Sequence, residues 1–192
     1  LGPEESEGSE FGFKGQASNG SWSVAFYDND YKDFIETEMT GFTMTGLMKF
    51  VYKNLDDVNI KGSEIKANFN LSDNLTAQFG FNNSKGRQDG KRLTTVDPDQ
   101  AILGLLWNSD DSKLSINTYA RITDGSPQSL PPVCGRTPPC ADALTLPDHT
   151  LIDSFISYSI NEKFSMRLAI RNITDKKYWN WSDVAGSAAN DS

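Results

Sequence analysis

Apolar and polar residues alternate with a period of two along most of this chain. In residues 163–172, for example, Phe164, Met166, Leu168 and Ile170 are separated by polar or small residues. Successive side chains of a β-strand point to opposite faces, so this spacing predicts a strand with one apolar face and one polar face. An α-helix repeats about every 3.6 residues and does not accommodate the pattern.

The alternation recurs in further segments, which predicts an all-β chain. These segments are 10–14, 22–26, 65–71, 75–81, 101–107, 114–122 and 152–160. Short polar turns join them in pairs, at residues 17–20, 72–74, 108–112 and 161–162. Longer connections lie between the pairs, at residues 36–58, 84–97 and 123–147. This arrangement predicts an antiparallel up-and-down meander.

The connections and the charges within the strands indicate what kind of sheet this is. Outer-membrane barrels have short turns at one end, long loops at the other, and strands that alternate between lipid and lumen. Mid-strand charges fit such a lumen; they are Glu64, Lys66, Arg121, Arg167 and Arg171. A water-soluble antiparallel sheet with a dry inner face also alternates in this way, and from the residues alone it stays open as the alternative.

Composition and charge argue against two other classes of protein. Hydrophobic residues make up 37% of the chain, and no run approaches the roughly 20 apolar residues of a membrane-spanning helix. The 18 basic and 26 acidic residues give a formal net charge of -8, whereas nucleic-acid binders depend on basic patches. We therefore expect neither a helical membrane protein nor a nucleic-acid-binding protein.

Four segments match the motifs of one receptor family, in the family's order. Residues 1–15, LGPEESEGSEFGFKG, resemble an L-x-P-E-x-S-x-x-x-E-x-G-x-K strand, and residues 26–35, FYDNDYKDFI, are similar to the strand after its turn. Residues 52–64, YKNLDDVNIKGSE, match N-x-x-x-V-x-I-x-G-x-E. Residues 171–184, RNITDKKYWNWSDV, resemble an N-L-T-D-K-x-Y segment. By these motifs the chain resembles TonB-dependent outer-membrane receptors.

The resemblance implies a partial transmembrane β-barrel in a Gram-negative outer membrane. Family barrels have 22 strands, and residues 1–192 would supply about eight or nine of them as the C-terminal part, without the plug domain and the final strand. The implied partners are outer-membrane lipid, the plug and the remaining strands, and the TonB complex, whose energy moves the plug. The family is not enzymatic, and no G-x-S-x-G motif accompanies the single histidine.

The YWNWSD extension at residues 178–183 is similar to the haem and haemoglobin receptors of the family. This resemblance implies haem as the transported ligand, taken from haemoglobin or another haem protein, and no covalently bound cofactor. The haem-ligating histidines of that branch fall outside this sequence, so the resemblance assigns no haem ligand here. A siderophore or other metal chelate is the alternative cargo, and a passive porin-like channel is the alternative mechanism.

Two cysteines and three aspartates invite metal or disulfide hypotheses. Cys134 and Cys140 lie in the third long connection, where an oxidising compartment favours a disulfide that staples the loop. Their spacing is not that of zinc ligands, and no second Cys/His pair accompanies them. Asp28, Asp30 and Asp33 lack the glycine and glutamate of an EF-hand loop, so they are predicted as a solvated strand end. No metal site is predicted.

Other candidate residues are aromatic or charged. His149 is predicted at the foot of a loop, where a lone histidine is more often a rim residue than a ligand of haem iron. Trp179 and Trp181 either stack on a flat ligand or belong to the aromatic girdle or rim of the barrel, which we favour. Charged side chains predicted to face the lumen, and to contact plug or water there, are Glu10, Lys14, Glu64, Lys66, Arg121, Arg167 and Arg171.

Overall fold

A computed structural model describes residues 1–45, 47–93, 96–125 and 146–180, and the regular elements in these ranges are all strands. The strands are β1 (Glu5–Ala17), β2 (Gly20–Lys32), β3 (Phe34–Phe42), β4 (Met48–Leu55), β5 (Val58–Asn70), β6 (Leu75–Gln88), β7 (Lys91–Arg92), β8 (Gln100–Asn108), β9 (Leu114–Thr123), β10 (His149–Asn161) and β11 (Phe164–Ile170). No helix able to cross a membrane occurs in these ranges.

The long strands form one antiparallel meander. Their order is β1-β2-β5-β6-β8-β9-β10-β11, with the short β7 added to β6, while β3 and β4 pair only with each other. Short turns join β1 to β2, β5 to β6, β8 to β9 and β10 to β11 at one end of the sheet, here called the turn end. The strand ends that the longer connections join lie at the opposite end, the loop end. The predicted all-β meander, left open at its edges, is confirmed.

The register assigns each residue of the meander to one of two faces. Ala67, Phe79, Leu103 and Ala120 are successive partners across the sheet, and Ile152 pairs with Ala120. Directly opposed residues share a face. This row, with the rows two residues above and below it, forms the apolar face, and the rows between them form the polar face.

The apolar face is not covered by a second layer of the described residues. Phe79, Leu103, Phe164 and Leu168 are 37%, 49%, 65% and 56% exposed. The buried hydrophobic residues in the described ranges are few and scattered: Val58, Ala67, Leu93, Leu146 and Leu151. A soluble sandwich buries such a face against another sheet, so the water-soluble alternative does not fit. A continuous exposed apolar face of this kind marks contact with lipid or with another chain.

A hairpin of β3 and β4 forms a separate two-stranded sheet between β2 and β5 at the loop end. The sequence predicted only a long connection over residues 36–58, whereas the structure has regular strands through most of it. Asp33 and Asp57 have positive φ angles of 53° and 54°, where β2 passes into β3 and β4 into β5. Aspartate adopts this left-handed region more readily than most residues, so the chain can change direction there.

Side-chain hydrogen bonds of Asn54 fasten this hairpin to the start of the chain. Asn54 Oδ1 accepts a hydrogen bond from the Gly2 N–H at 2.7 Å. Asn54 Nδ2 donates to the carbonyl oxygen of Asp33 at 2.6 Å and to that of Gly2 at 3.2 Å. The Glu4 carboxylate accepts from the Ile35 N–H at 3.1 Å. The base of the hairpin is therefore held by side chains as well as by strand pairing, and we call the contacts of Asn54 the Asn54 clasp.

Candidate functional site at the loop end of the polar face

The charged residues singled out in the sequence lie together on the polar face. Lys14, Lys66 and Arg121 occupy one row, on β1, β5 and β9. The next row toward the loop end holds Glu64 and His149. Period-two alternation was sufficient to group these residues, because parity along a strand fixes the face. Their exposure to an aqueous lumen remains a prediction.

Three more predicted charges lie on or beside the polar face, and one exposed ion pair forms within its rows. Glu10 and Arg167 also lie on the polar face, and Arg171 directly follows β11. Lys66 Nζ is 2.9 Å from Glu64 Oε2, but the two side chains are 71% and 40% exposed. An ion pair in water contributes about 0–1 kcal/mol. This pair therefore adds little to the stability of the wall.

A more buried ion pair joins β9 to β10. Arg121 Nη2 lies 3.6 Å from Asp153 Oδ2, and the Asp153 side chain is 7% exposed. The backbone N–H of Asn172 donates to Asp153 Oδ1 at 2.7 Å. The sequence singled out Arg121 but gave Asp153 no role. Asp153 can be identified only from the strand register. The register pairs it with Tyr119, which lies two residues from Arg121 on the same face of β9.

The segment after β11 approaches the polar face at the loop end. Asn172 and Lys176 close a turn, since Asn172 Nδ2 donates to the Lys176 carbonyl at 3.0 Å and Asn172 Oδ1 accepts from the Lys176 N–H at 2.9 Å. Tyr178 then stacks on His149, with ring centroids 5.1 Å apart and planes at 29°. His149 begins β10, at the foot of the loop. Tyr178 as its stacking partner was not predicted.

A small cleft lies beside this stack. It has a volume of about 150 Å³, and its lining includes Asp97, Arg121, Asp124, His149 and Trp179. Sites for organic ligands usually measure about 300–1,000 Å³. The cleft therefore admits water or a small polar group rather than a flat macrocycle. Trp179 lies here, at the rim of the polar face and away from the apolar face.

The remaining predicted residues are two cysteines, one tryptophan and three aspartates. Cys134, Cys140 and Trp181 lie outside the described residues, so their roles stay predictions. Asp28 and Asp30 both accept a hydrogen bond from Asn59 Nδ2, at 2.6 Å and 2.8 Å, while Asp33 sits at the strand junction. Within residues 1–45, 47–93, 96–125 and 146–180, no group of three or more His, Cys, Asp or Glu side chains is placed to hold a metal ion.

Comparison with known proteins matches this architecture to relatives of several ligand types. The chain is 22% identical to a "Probable hemoglobin and hemoglobin-haptoglobin-binding protein 4" of Haemophilus influenzae, over 96% of the chain and 21% of the relative. It is 28% identical to a "Ferrioxamine B receptor" of Salmonella typhimurium, over 66% of the chain and 19% of the relative. The solved copper transporter OprC superposes with a TM-score of 0.75 at 19% identity, covering 93% of this chain and 26% of OprC.

The chain thus spans about a fifth of the length of the curated relatives it matches. The family model described as "TonB dependent receptor-like, beta-barrel" matches residues 1–173, which include every strand of the meander. The matched family consists of receptors and transporters of the Gram-negative outer membrane, not of enzymes. Residues, register and family match agree: the chain belongs to the TonB-dependent receptor β-barrel family.

Proposed function

We propose that this chain forms wall and loops of a receptor that actively imports an iron-containing ligand across the outer membrane, with haem as the cargo. The haem would come from haemoglobin or another haem protein, and a plug domain and the TonB complex would be its partners in transport. The choice of cargo rests on the share of this chain that aligns with each relative. The relative named for hemoglobin binding aligns with 96% of the chain, and the ferrioxamine B receptor with 66%.

The geometry supports ligand capture at the loop end rather than within the described polar face. The hairpin of β3 and β4 projects there, and His149, Tyr178 and Trp179 gather at the same end. The cleft beside them is too small for a macrocycle. We therefore assign haem contacts to loops and plug, and no ligation to His149.

A siderophore is the second candidate cargo. The observation in its favour is the higher identity, 28%, to the ferrioxamine B receptor over the shorter alignment. Both candidates use the same barrel and the same energy source, so only the ligand distinguishes them. A passive channel differs from both, because it would carry its solute without TonB.

The test is growth of a host that depends on the receptor for iron or haem. The full receptor containing this chain is expressed in two iron-starved hosts that lack other haem and siderophore receptors, a haem-requiring strain for haemoglobin and haem and a strain that makes its own haem for ferrioxamine B. Haemoglobin, free haem and ferrioxamine B are supplied in turn, with and without functional TonB. We expect growth on haemoglobin and haem only when TonB is present.

The other growth patterns would favour one of the two alternative functions. Growth on ferrioxamine B alone would move the assignment to the siderophore, and growth without TonB would indicate a passive channel. A His149→Ala receptor tests the placement of the ligand, because removal of a haem ligand weakens uptake whereas removal of a rim residue does not. We expect this variant to support growth on haemoglobin as the unaltered receptor does.

A further inference from the structure

We propose that the apolar face carries a binding site for the phosphate of an outer-leaflet lipid, formed by Lys61 and Lys85 with Phe11 and Phe26. The proposal rests on the outer-membrane location of the family and not on which ligand the receptor imports. It concerns the outside of the wall, opposite the polar-face cleft. Failure of haem import would therefore leave it standing.

The spacing of the four residues along the strands matches the thickness of the headgroup layer of a membrane. Phe11 and Phe26 are direct partners and are the last apolar residues of β1 and β2 on the apolar face toward the loop end. Lys61 and Lys85 are partners in the next row, level with Asp28. At roughly 3.4 Å per strand residue the two rows lie about 7 Å apart. The headgroup layer of one leaflet is about 5–8 Å thick, so phenyl rings at its inner edge put both ammonium groups within it.

A shallow cleft joins the lysines to the aromatic rings. Its volume is about 540 Å³, and its lining also includes Ser9, Ser63 and Asn83 and the acidic residues Glu10 and Asp28. Phe11 and Phe26 are 63% and 51% exposed, so their rings are open to an acyl chain. On the apolar face the cleft thus presents two cations, the single carboxylate of Asp28 and neutral polar groups on one side and two apolar rings on the other, since the side chain of Glu10 belongs to the polar face. Such a surface is complementary to a lipid that ends in a phosphate.

The two lysines share their row with one carboxylate, that of Asp28, which lies opposite Lys61. They lie directly opposite each other, an arrangement that destabilises a sheet when both charges are alike. Neither takes part in an ion pair within the described ranges. Asp28, the strand partner of Lys61, instead accepts a hydrogen bond from Asn59 at 2.6 Å. A lipid phosphate between the ammonium groups would relieve their repulsion and accept charge-assisted hydrogen bonds from both.

The test measures how much of the binding depends on the phosphate and on the two lysines. The full receptor in neutral detergent is titrated with phosphatidic acid or with diacylglycerol of the same acyl chains, and bound lipids are counted by native mass spectrometry. Lys61→Gln/Lys85→Gln removes both charges. Lys14→Gln/Lys66→Gln removes two charges from the polar face and is the matched control. Lys61→Arg/Lys85→Arg retains the charge.

We expect Lys61→Gln/Lys85→Gln to bind phosphatidic acid about 30-fold more weakly, because each basic residue near an anionic leaflet contributes roughly five-fold. The control pair and the arginine pair should stay within about two-fold of the unaltered receptor. Equal binding of phosphatidic acid and diacylglycerol by the unaltered receptor would overturn the proposal, and this comparison holds even if a variant fails to fold. Displacement of phosphatidic acid by an equal concentration of inorganic phosphate would also overturn it, since the site would then recognise the free ion.

Discussion

Asp153 connects three parts of the wall through its two carboxylate oxygens. Oδ2 lies 3.6 Å from Arg121 Nη2 on β9, and Oδ1 accepts the backbone N–H of Asn172 at 2.7 Å. The side chain is 7% exposed, against 38% for Arg121. Burial of a carboxylate is costly unless it is paired and hydrogen-bonded, so both contacts contribute to holding β10 against its neighbours.

Replacement of Asp153 separates the two contacts. Asp153→Ala should lower the free energy of unfolding by about 2 kcal/mol. It leaves the Asn172 N–H without its acceptor, and it removes the counter-ion of Arg121, whose charge is partly screened by water. Asp153→Asn keeps an acceptor and should cost about 1 kcal/mol. Urea unfolding of the folded receptor, followed by tryptophan fluorescence, measures both. Asp73→Asn in an exposed turn is the control, and an Asp153→Ala midpoint equal to it would contradict this account.

Neighbouring leucines of β8 test which face meets lipid. Leu105 lies on the apolar face at 50% exposure, and Leu106 lies on the polar face. A lysine on the lipid-facing surface costs from about 1 kcal/mol near its edge to about 2–4 kcal/mol at its middle, whereas a lumen position tolerates charge. We expect Leu105→Lys to reduce the stability or assembly of the barrel in lipid vesicles and Leu106→Lys to have a much smaller effect. The reverse order would show that the polar face is the one in contact with lipid.

The strands and their faces were predictable because alternation is a direct consequence of strand geometry. Residues 163–172 were predicted as a strand, and β11 spans Phe164–Ile170. The hairpin within residues 36–58 was missed because its strands carry no sustained alternation, as in Phe34, Ile35 and Glu36 followed by Thr37. A local pattern that is weak gives no basis for assigning a strand, even where pairing with a neighbour forms one.

The contacts of the candidate site depend on information that no single segment contains. Arg121 stood out as a charge within an apolar strand, but its partner Asp153 follows from the register between β9 and β10. The stack of Tyr178 on His149 depends on the path of the chain after β11. Sequence reasoning therefore found the side chains of the polar face individually and could not pair them.

A glycine of β5 is required by the side chain that lies over it. A Cβ at Gly62 would overlap the backbone carbonyl oxygen of Asn83 and the phenol of Tyr27. At Gly80, on the same face of β6, the nearest atom to such a Cβ is Ile102 Cβ at 3.7 Å, an ordinary contact. Gly62→Ala should therefore destabilise the barrel by about 1–3 kcal/mol, as overpacking does, while Gly80→Ala should change it by much less. The midpoints of thermal unfolding of the two variants measure this difference in stability. Equal midpoints would refute the steric argument.

The Asn54 clasp should control how firmly the β3–β4 hairpin is held to the wall. Asn54→Ala removes the acceptor for the Gly2 N–H and the donor to the Asp33 carbonyl, while Asn54→Asp keeps only the acceptor. Each lost hydrogen bond contributes about 0.5–1.5 kcal/mol, so hydrogen exchange across residues 34–55 should become faster in Asn54→Ala and change less in Asn54→Asp. Exchange by mass spectrometry on the folded receptor measures this, with Asn68→Ala in the middle of the meander as control. Unchanged exchange in the hairpin of Asn54→Ala would mean that strand pairing alone fixes its base.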